Sequence, residues 1–97
     1  MPEDDILDAT ARIPEHVALR AFEVETLLLN LETGTYHGLN ATGARMIEAL
    51  QDSGGDVRRS LDRLVEEFDA RPEVLAEDLT RLCRELADRG LLEIVPR

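Results

Sequence analysis

Few side chains in this sequence have the types and spacing that catalysis or metal binding requires. His16 and His37 are the only histidines, and Cys83 is the only cysteine. Neither histidine is accompanied by a cysteine or a carboxylate at a metal-ligand spacing that repeats. The sequence also contains neither a glycine-rich phosphate-binding loop nor a nucleophile elbow. We therefore predict a protein that is not an enzyme and that uses no metal ion or other cofactor.

The remaining reactive groups have simpler structural explanations. Cys83 lies among leucines in a predicted helix, where a cysteine is ordinarily a small buried hydrophobic residue. Two acidic pairs, Glu66 with Glu67 and Glu77 with Asp78, fall on the predicted solvent faces of helices. Carboxylates in such places are interpreted as surface charge rather than as a general acid and base.

The composition is that of an acidic, aliphatic protein and excludes several classes of function. The chain has 97 residues, a formal net charge of −10 and 43 % hydrophobic residues. A single cysteine cannot form an internal disulfide, which fits a cytoplasmic location. No apolar run approaches the ~20 residues that cross a bilayer, and the first residues lack the pattern of a secretory signal. Such a negative charge repels nucleic acid and anionic membranes, so we expect neither as a partner.

The acidic start of the chain is expected to be separate from the folded domain. Residues 1–14 carry several like charges and close with Pro14, which predicts a flexible acidic arm. Residues 15–97 then form a single domain, since a chain of this length is enough for one.

Hydrophobic periodicity predicts three antiparallel strands in the first half of the chain. They cover residues 17–22, 25–31 and 36–39. A three-residue loop with Gly34 in the left-handed conformation would place Leu29 opposite His37. Tight hairpins imply the spatial order 1-2-3, which leaves the third strand at an edge of the sheet.

Three amphipathic helices and a short strand are predicted for the second half. Asn40 caps a helix over residues 41–51, and Asp56 caps the next. The apolar stripes of the second and third helices are Val57, Leu61, Leu64 and Phe68, then Leu75, Leu79, Leu82 and Leu86. Gly90 ends the third helix, and residues 91–95 read as a last strand. The expected fold is therefore α+β: a three-stranded antiparallel sheet followed by a three-helix winged helix-turn-helix.

A winged helix-turn-helix suggests DNA binding, but the charges argue against it. The third predicted helix carries five acidic side chains against three arginines, which would not neutralise phosphates.

Two features of the predicted fold favour recognition of a peptide or protein instead. The third strand is an exposed edge, and such edges accept partner strands. The third helix also has small residues on one flank of its leucine stripe: Ala76, Thr80, Cys83 and Ala87. They would leave a shallow groove, or they simply let the helix approach the sheet closely.

The run from Leu28 to Gly43, LLNLETGTYHGLNATG, resembles the PqqD-like family. Its pattern is an apolar strand, a turn with glycine, a tyrosine, two variable residues, Leu-Asn, one variable residue and Thr-Gly. Asp78, the spaced leucines and Gly90 followed by Leu91 also resemble the end of the family. The resemblance implies a non-catalytic element that binds the leader of a ribosomally synthesised precursor peptide and delivers it to processing enzymes.

In that family the leader adds a strand to the third strand and packs against the third helix. This mode of binding implies that the following residues contact the leader: Tyr36, His37, Gly38, Leu39, Ala76, Leu79, Thr80, Leu82, Cys83 and Leu86.

The subfamily that the chain resembles most is the stand-alone leader-binding protein of lasso-peptide biosynthesis, which serves a separate leader peptidase. This rests on the chain length, Tyr36 and the run 40–43. PqqD proper typically has Pro-Glu in the loop before the third strand, where this chain has residues 32–34, Glu-Thr-Gly. Two alternatives stay open: a PqqD-like peptide chaperone for a radical-SAM maturase, and a self-associating structural module with Phe22 and Leu28 directed away from the helices. We expect a monomer or a weak homodimer.

Overall fold

The computed structural model describes residues 6–96, which form two antiparallel sheets and, in the second half of the chain, three helices. The strands are β1 (Ala9–Arg12), β2 (Val17–Ala21), β3 (Thr26–Asn30), β4 (Tyr36–Leu39) and β5 (Glu93–Pro96). The helices of the second half are α1 (Ala41–Asp52), α2 (Val57–Glu67) and α3 (Pro72–Asp88). The α+β class and the order of strands before helices agree with the prediction.

The three-stranded sheet has the predicted order, β2-β3-β4, with β4 at an edge. Its second hairpin has a different register from the one expected. Leu28 pairs with His37, and Leu29 pairs with Tyr36. The predicted pairing of Leu29 with His37 is therefore wrong by one residue, and a shift of one residue exchanges the two faces of a strand.

The Asn30 side chain is the reason for this register. Its Oδ1 atom accepts hydrogen bonds from the backbone N–H groups of Glu32, at 2.9 Å, and Thr33, at 3.1 Å. The loop is closed by a backbone hydrogen bond from Asn30 N to the Thr35 carbonyl, so it has four residues rather than three. Gly34 lies in this loop with φ of +81°, in the left-handed region that was predicted for it.

Alternate residues of β3 face opposite sides of the sheet. Leu28 faces the helices and is fully buried in the core, so the alternative that directs it away from them is wrong. Leu27 and Leu29 face the other side and are only half-buried. Phe22, just after β2, is 60 % exposed, as the same alternative expected.

Residues 9–12, which were expected to belong to a flexible arm, form β1 and pair with β5. Ala9 and Ala11 are buried and alternate with Thr10 and the exposed Arg12, which is the period of a strand. Ile6 also lies in the hydrophobic core. The prediction considered the charge of this segment and not its short alternation. The first five residues of the predicted arm lie outside the described residues, as does residue 97 at the other end.

The helices begin and end where local signals place them. Asn40 Oδ1 accepts a hydrogen bond from the Gly43 backbone N–H at 2.7 Å, and Asp56 caps α2 in the same way. Gly90 follows α3 with φ of +74°. The three helices share one aliphatic core, whose fully buried members include Ile47, Leu50, Val57, Leu64, Leu79 and Leu86. Within the described range, no helix is long and apolar enough to cross a membrane.

Replacing Asn30 tests whether its side chain sets the hairpin. We expect Asn30→Ala to lower the free energy of unfolding by about 1 kcal/mol, because two backbone N–H groups lose their acceptor. Asn30→Asp keeps an accepting oxygen in the same place and is the matched control. Urea denaturation measures both variants. Equal stability of Asn30→Ala and the native chain would contradict the assigned role.

Candidate functional site

The backbone of β4 leaves hydrogen-bonding groups open at the edge of the sheet. The hydrogen bond from Asn30 N to the Thr35 carbonyl fixes which residues bond across the hairpin. Because alternate residues of an antiparallel strand bond to the same neighbour, His37 turns its N–H and C=O toward β3. Tyr36 and Gly38 turn theirs outward, and these groups have no hydrogen-bond partner among residues 6–96. Such an edge can accept a further strand.

The opposite edge of the sheet, β2, is less available. The Val17 backbone N–H already donates to the Pro14 carbonyl at 3.0 Å. The Arg20 guanidinium folds along the strand and donates to the Leu19 carbonyl at 3.2 Å. A charged side chain over an edge strand is a common protection against pairing. The β4 edge is therefore the one that the structure leaves for a partner strand.

A cleft lies beside β4, between α3 and the first two turns of α1. His37 points from β4 toward α3, with its Nδ1 atom 3.9 Å from Oε1 of Glu85. The adjoining depression has a volume of about 370 Å³. It is lined by Asn40, Thr42, Gly43, Met46, Asp78, Arg81, Leu82 and Glu85.

The cleft combines a small apolar surface with charged walls. Met46 and Leu82 are the apolar lining residues. Arg81 reaches Asp78 at 3.4 Å and also pairs with Glu77, so its charge is compensated. Glu85 adds a further carboxylate, and the cleft is acidic in sum. Such a surface suits a peptide that places an apolar side chain inward and polar or basic groups at the rim.

The strand residues of the predicted site lie at this edge. Tyr36 is 62 % exposed, and Gly38 is exposed as well. His37 is half-buried and faces α3, whereas Leu39 is buried and belongs to the core. The edge therefore offers a partner the backbone groups of Tyr36 and Gly38 and the imidazole of His37.

Most of the predicted helix residues are not accessible. Leu79, Thr80, Cys83 and Leu86 are at most 2 % exposed. The prediction of a groove along the small-residue flank of α3 is therefore wrong at Thr80 and Cys83. There the small residues let the helix pack closely, which was the alternative interpretation. Among the helix residues predicted for the site, Leu82 lines the depression, and Ala76 is half-buried outside that lining.

The sequence reasoning missed the flank of α3 that does border the cleft. It interpreted Asp78 as surface charge, gave Arg81 and Glu85 no role, and counted Asn40 only as a cap. Asp78, Arg81 and Glu85 share one helical face with Leu82, because their spacing is i, i+3, i+4 and i+7. The sequence signal for this flank was Leu82, an apolar residue within a stripe of charged residues.

Cys83 has the environment of a structural residue. The thiol is fully buried, and this burial raises its pKa from 9.0 to about 12. A thiol with such a pKa is protonated at neutral pH and is a poor nucleophile.

Comparison with known proteins gives one family and two similar structures. The model of the family described as coenzyme PQQ synthesis protein D (PqqD) matches residues 25–92. TbiB1 in complex with the TbiA(beta) leader peptide is 33 % identical, with a TM-score of 0.75 over 84 % of this chain and 94 % of that one. A lasso peptide synthetase B1 complexed with the leader peptide is 21 % identical, with a TM-score of 0.76 over 87 % and 98 %. This second likeness concerns the fold alone, and no curated protein matches the chain.

Thiol labelling tests the burial of Cys83. In the folded protein we expect no rapid reaction with a chromogenic disulfide reagent at mildly alkaline pH, because the thiol is both covered and protonated. In concentrated guanidinium one thiol per chain should react at once. Fast labelling of the folded protein would place Cys83 on an accessible surface and restore the groove prediction.

The raised pKa of Cys83 also predicts a loss of stability in alkali. Since the unfolded thiol ionises near pH 9 and the folded one only near 12, the free energy of unfolding should fall as pH rises between these values. Cys83→Ala should show a weaker fall in the same denaturation series.

Proposed function

The chain belongs to the PqqD family, and from this premise we propose that it binds the leader region of a ribosomally synthesised precursor peptide and presents it to processing enzymes. The observation that carries the proposal is the unpaired β4 edge beside an acidic cleft. The protein with 33 % identity to this chain was solved in complex with a leader peptide. We propose a lasso-peptide leader peptidase as the enzyme served.

The proposed binding mode is the addition of one strand. The leader hydrogen-bonds to the outward N–H and C=O groups of Tyr36 and Gly38, which sets its register. An apolar leader side chain enters the depression and contacts the half-buried Leu82, whereas Met46 is only 2 % exposed and supports this contact from behind. The leader is unstructured before binding, so its ordering entropy opposes association, and the contacts offset this entropy.

The residues of the predicted leader site divide into two groups in this proposal. Contact with the leader is assigned to the β4 edge, through Tyr36, His37 and Gly38, and to Leu82 on α3. The buried residues support these contacts from behind without touching the leader: Leu39, Leu79, Thr80, Cys83 and Leu86. Ala76 lies at the margin, half-buried.

We propose that the role is that of an adaptor without catalysis. The one thiol is buried and protonated at neutral pH, and His37 faces Glu85 rather than a nucleophile. The finer fold assignment is part of the same proposal: α1 to α3 and the β1–β5 ribbon form a winged helix-turn-helix that supports the peptide site. A cytoplasmic location likewise stays a prediction.

The description of the matching family model favours a second candidate function. Coenzyme PQQ synthesis protein D points to a peptide chaperone for a maturase, and the radical-SAM alternative belongs here. Purified enzymes encoded beside the precursor decide between the two. An increase in leader cleavage by the peptidase supports the first candidate, and an increase in core modification by the maturase supports the second.

A proline at the β4 edge tests the strand-addition mode. Gly38→Pro removes one outward N–H and leaves the β3–β4 ladder intact, since edge strands tolerate proline where the N–H faces solvent. We expect its affinity for a fluorescent leader peptide to fall about tenfold or more, because a main-chain hydrogen bond is lost and the ring obstructs the edge.

Gly38→Ala is the matched control. Both substitutions add a Cβ atom that would lie 3.0 Å from Oε1 of Glu25, whose flexible side chain can move aside. Only proline removes the N–H, so the alanine variant should bind the leader as the native chain does. Equal affinity of the proline and alanine variants, with both folded by circular dichroism, would exclude strand addition at β4.

A further inference from the structure

The face of the three-stranded sheet that is turned away from the helices is apolar and uncovered. The register places Ala18, Leu29 and Tyr36 in one row across the three strands, and the next row toward Phe22 holds Leu27, Gly38 and one charged residue, Arg20. Phe22 extends this face beyond β2, and Leu31 extends it beyond β3. We call Ala18, Phe22, Leu29, Leu31 and Tyr36 the outer patch. Three of them, Phe22, Leu31 and Tyr36, are each about 60 % exposed.

The outer patch is more than the ordinary scatter of exposed apolar residues. Six large hydrophobic side chains are exposed within residues 6–96, and three of them belong to the patch. A fourth, Val24, lies in the hairpin next to Phe22 and is 92 % exposed. Single exposed apolar residues need no explanation, but a contiguous group on a sheet face marks an interaction surface.

The charges around the outer patch indicate what kind of surface covers it. Between residues 15 and 40 the chain has four acidic side chains and one arginine, Arg20. At the end of the hairpin the Glu25 backbone carbonyl accepts a hydrogen bond from the Phe22 N–H. The Glu25 carboxylate lies over the sheet beside Gly38. A second copy of this chain would bring the same negative rim and a net charge of −10. Complementarity therefore favours a different protein, with an apolar centre and basic side chains around it.

The outer patch is continuous with the proposed leader site through Tyr36. The backbone of this residue faces the open edge, whereas its side chain lies on the outer face beside Leu29. A peptide strand added to β4 would widen the same face by one strand. A protein docked on the patch would therefore meet the bound leader directly.

We propose that the outer patch docks the leader peptidase, through an apolar surface of the enzyme that is bordered by basic side chains. The inference rests on the proposed function and adds the place where the enzyme binds. It explains how one small chain holds a peptide and an enzyme together: the edge of the sheet takes the peptide, and the adjoining face takes the enzyme.

The test compares two double variants against the purified leader peptidase that is encoded beside the precursor. Phe22→Ser with Leu31→Ser changes the patch and avoids Tyr36, which belongs to the leader site. Val74→Ser with Val95→Ser is the control, since these residues are also exposed and apolar but lie on other elements. All four positions are exposed, so we expect both variants to fold.

The patch variant should bind the peptidase about tenfold more weakly or worse, while its affinity for the leader stays within about twofold of native. The control variant should match the native chain in both measurements. Higher salt should weaken native binding to the peptidase, because the rims are oppositely charged.

Three results would overturn the proposal. The first is an unchanged affinity of the patch variant for the peptidase. The second is equal weakening in both variants. The third is a native dimer, seen by sedimentation velocity, that the patch substitutions dissociate, since the second copy would then occupy the patch. A native chain that fails to bind the leader would overturn the proposed function instead, and peptidase binding measured without leader would still decide whether the patch is the docking surface.

Discussion

The hydrogen bonds of the Asn30 side chain are the constraint on which the β4 edge depends. By accepting hydrogen bonds from two backbone N–H groups, Asn30 gives the loop four residues, one more than the predicted three-residue loop. This length sets the pairing of Leu28 with His37. It thereby decides that Tyr36 and Gly38 turn their backbone groups outward. A register shifted by one would aim His37 away from α3 and would move the free groups to other residues.

The packing of α3 decides the second half of the site. The helix buries its leucine stripe together with Thr80 and Cys83, and this close approach anchors it in the core. The flank that remains at the surface carries Leu82 among charged residues and borders the cleft. The proposed peptide site is therefore a strand edge and a helix face, both held by rigid elements. The proposed adaptor role depends on this geometry.

The proposed leader site and the outer patch are separate surfaces that share one residue. Tyr36 contributes backbone groups to the edge and a side chain to the face. The chain is acidic around both, which disfavours association between copies and favours partners with basic groups. This arrangement fits a protein whose proposed task is to hold a peptide and an enzyme at the same time.

Local patterns determined the elements of this protein, because caps and amphipathic stripes depend on residues a few positions apart. The starts of the two helices that follow Asn40 and Asp56 were predictable in this way. The position of β4 at an edge of the sheet was predictable as well. Tertiary structure decided the rest. Helical periodicity relates the two flanks of α3 to each other, but only packing against the other elements determined that Cys83 is buried and that the Asp78 flank is open. Strand β1 forms because β5, from the far end of the chain, and the turn at Gly55 and Asp56 both supply its hydrogen bonds.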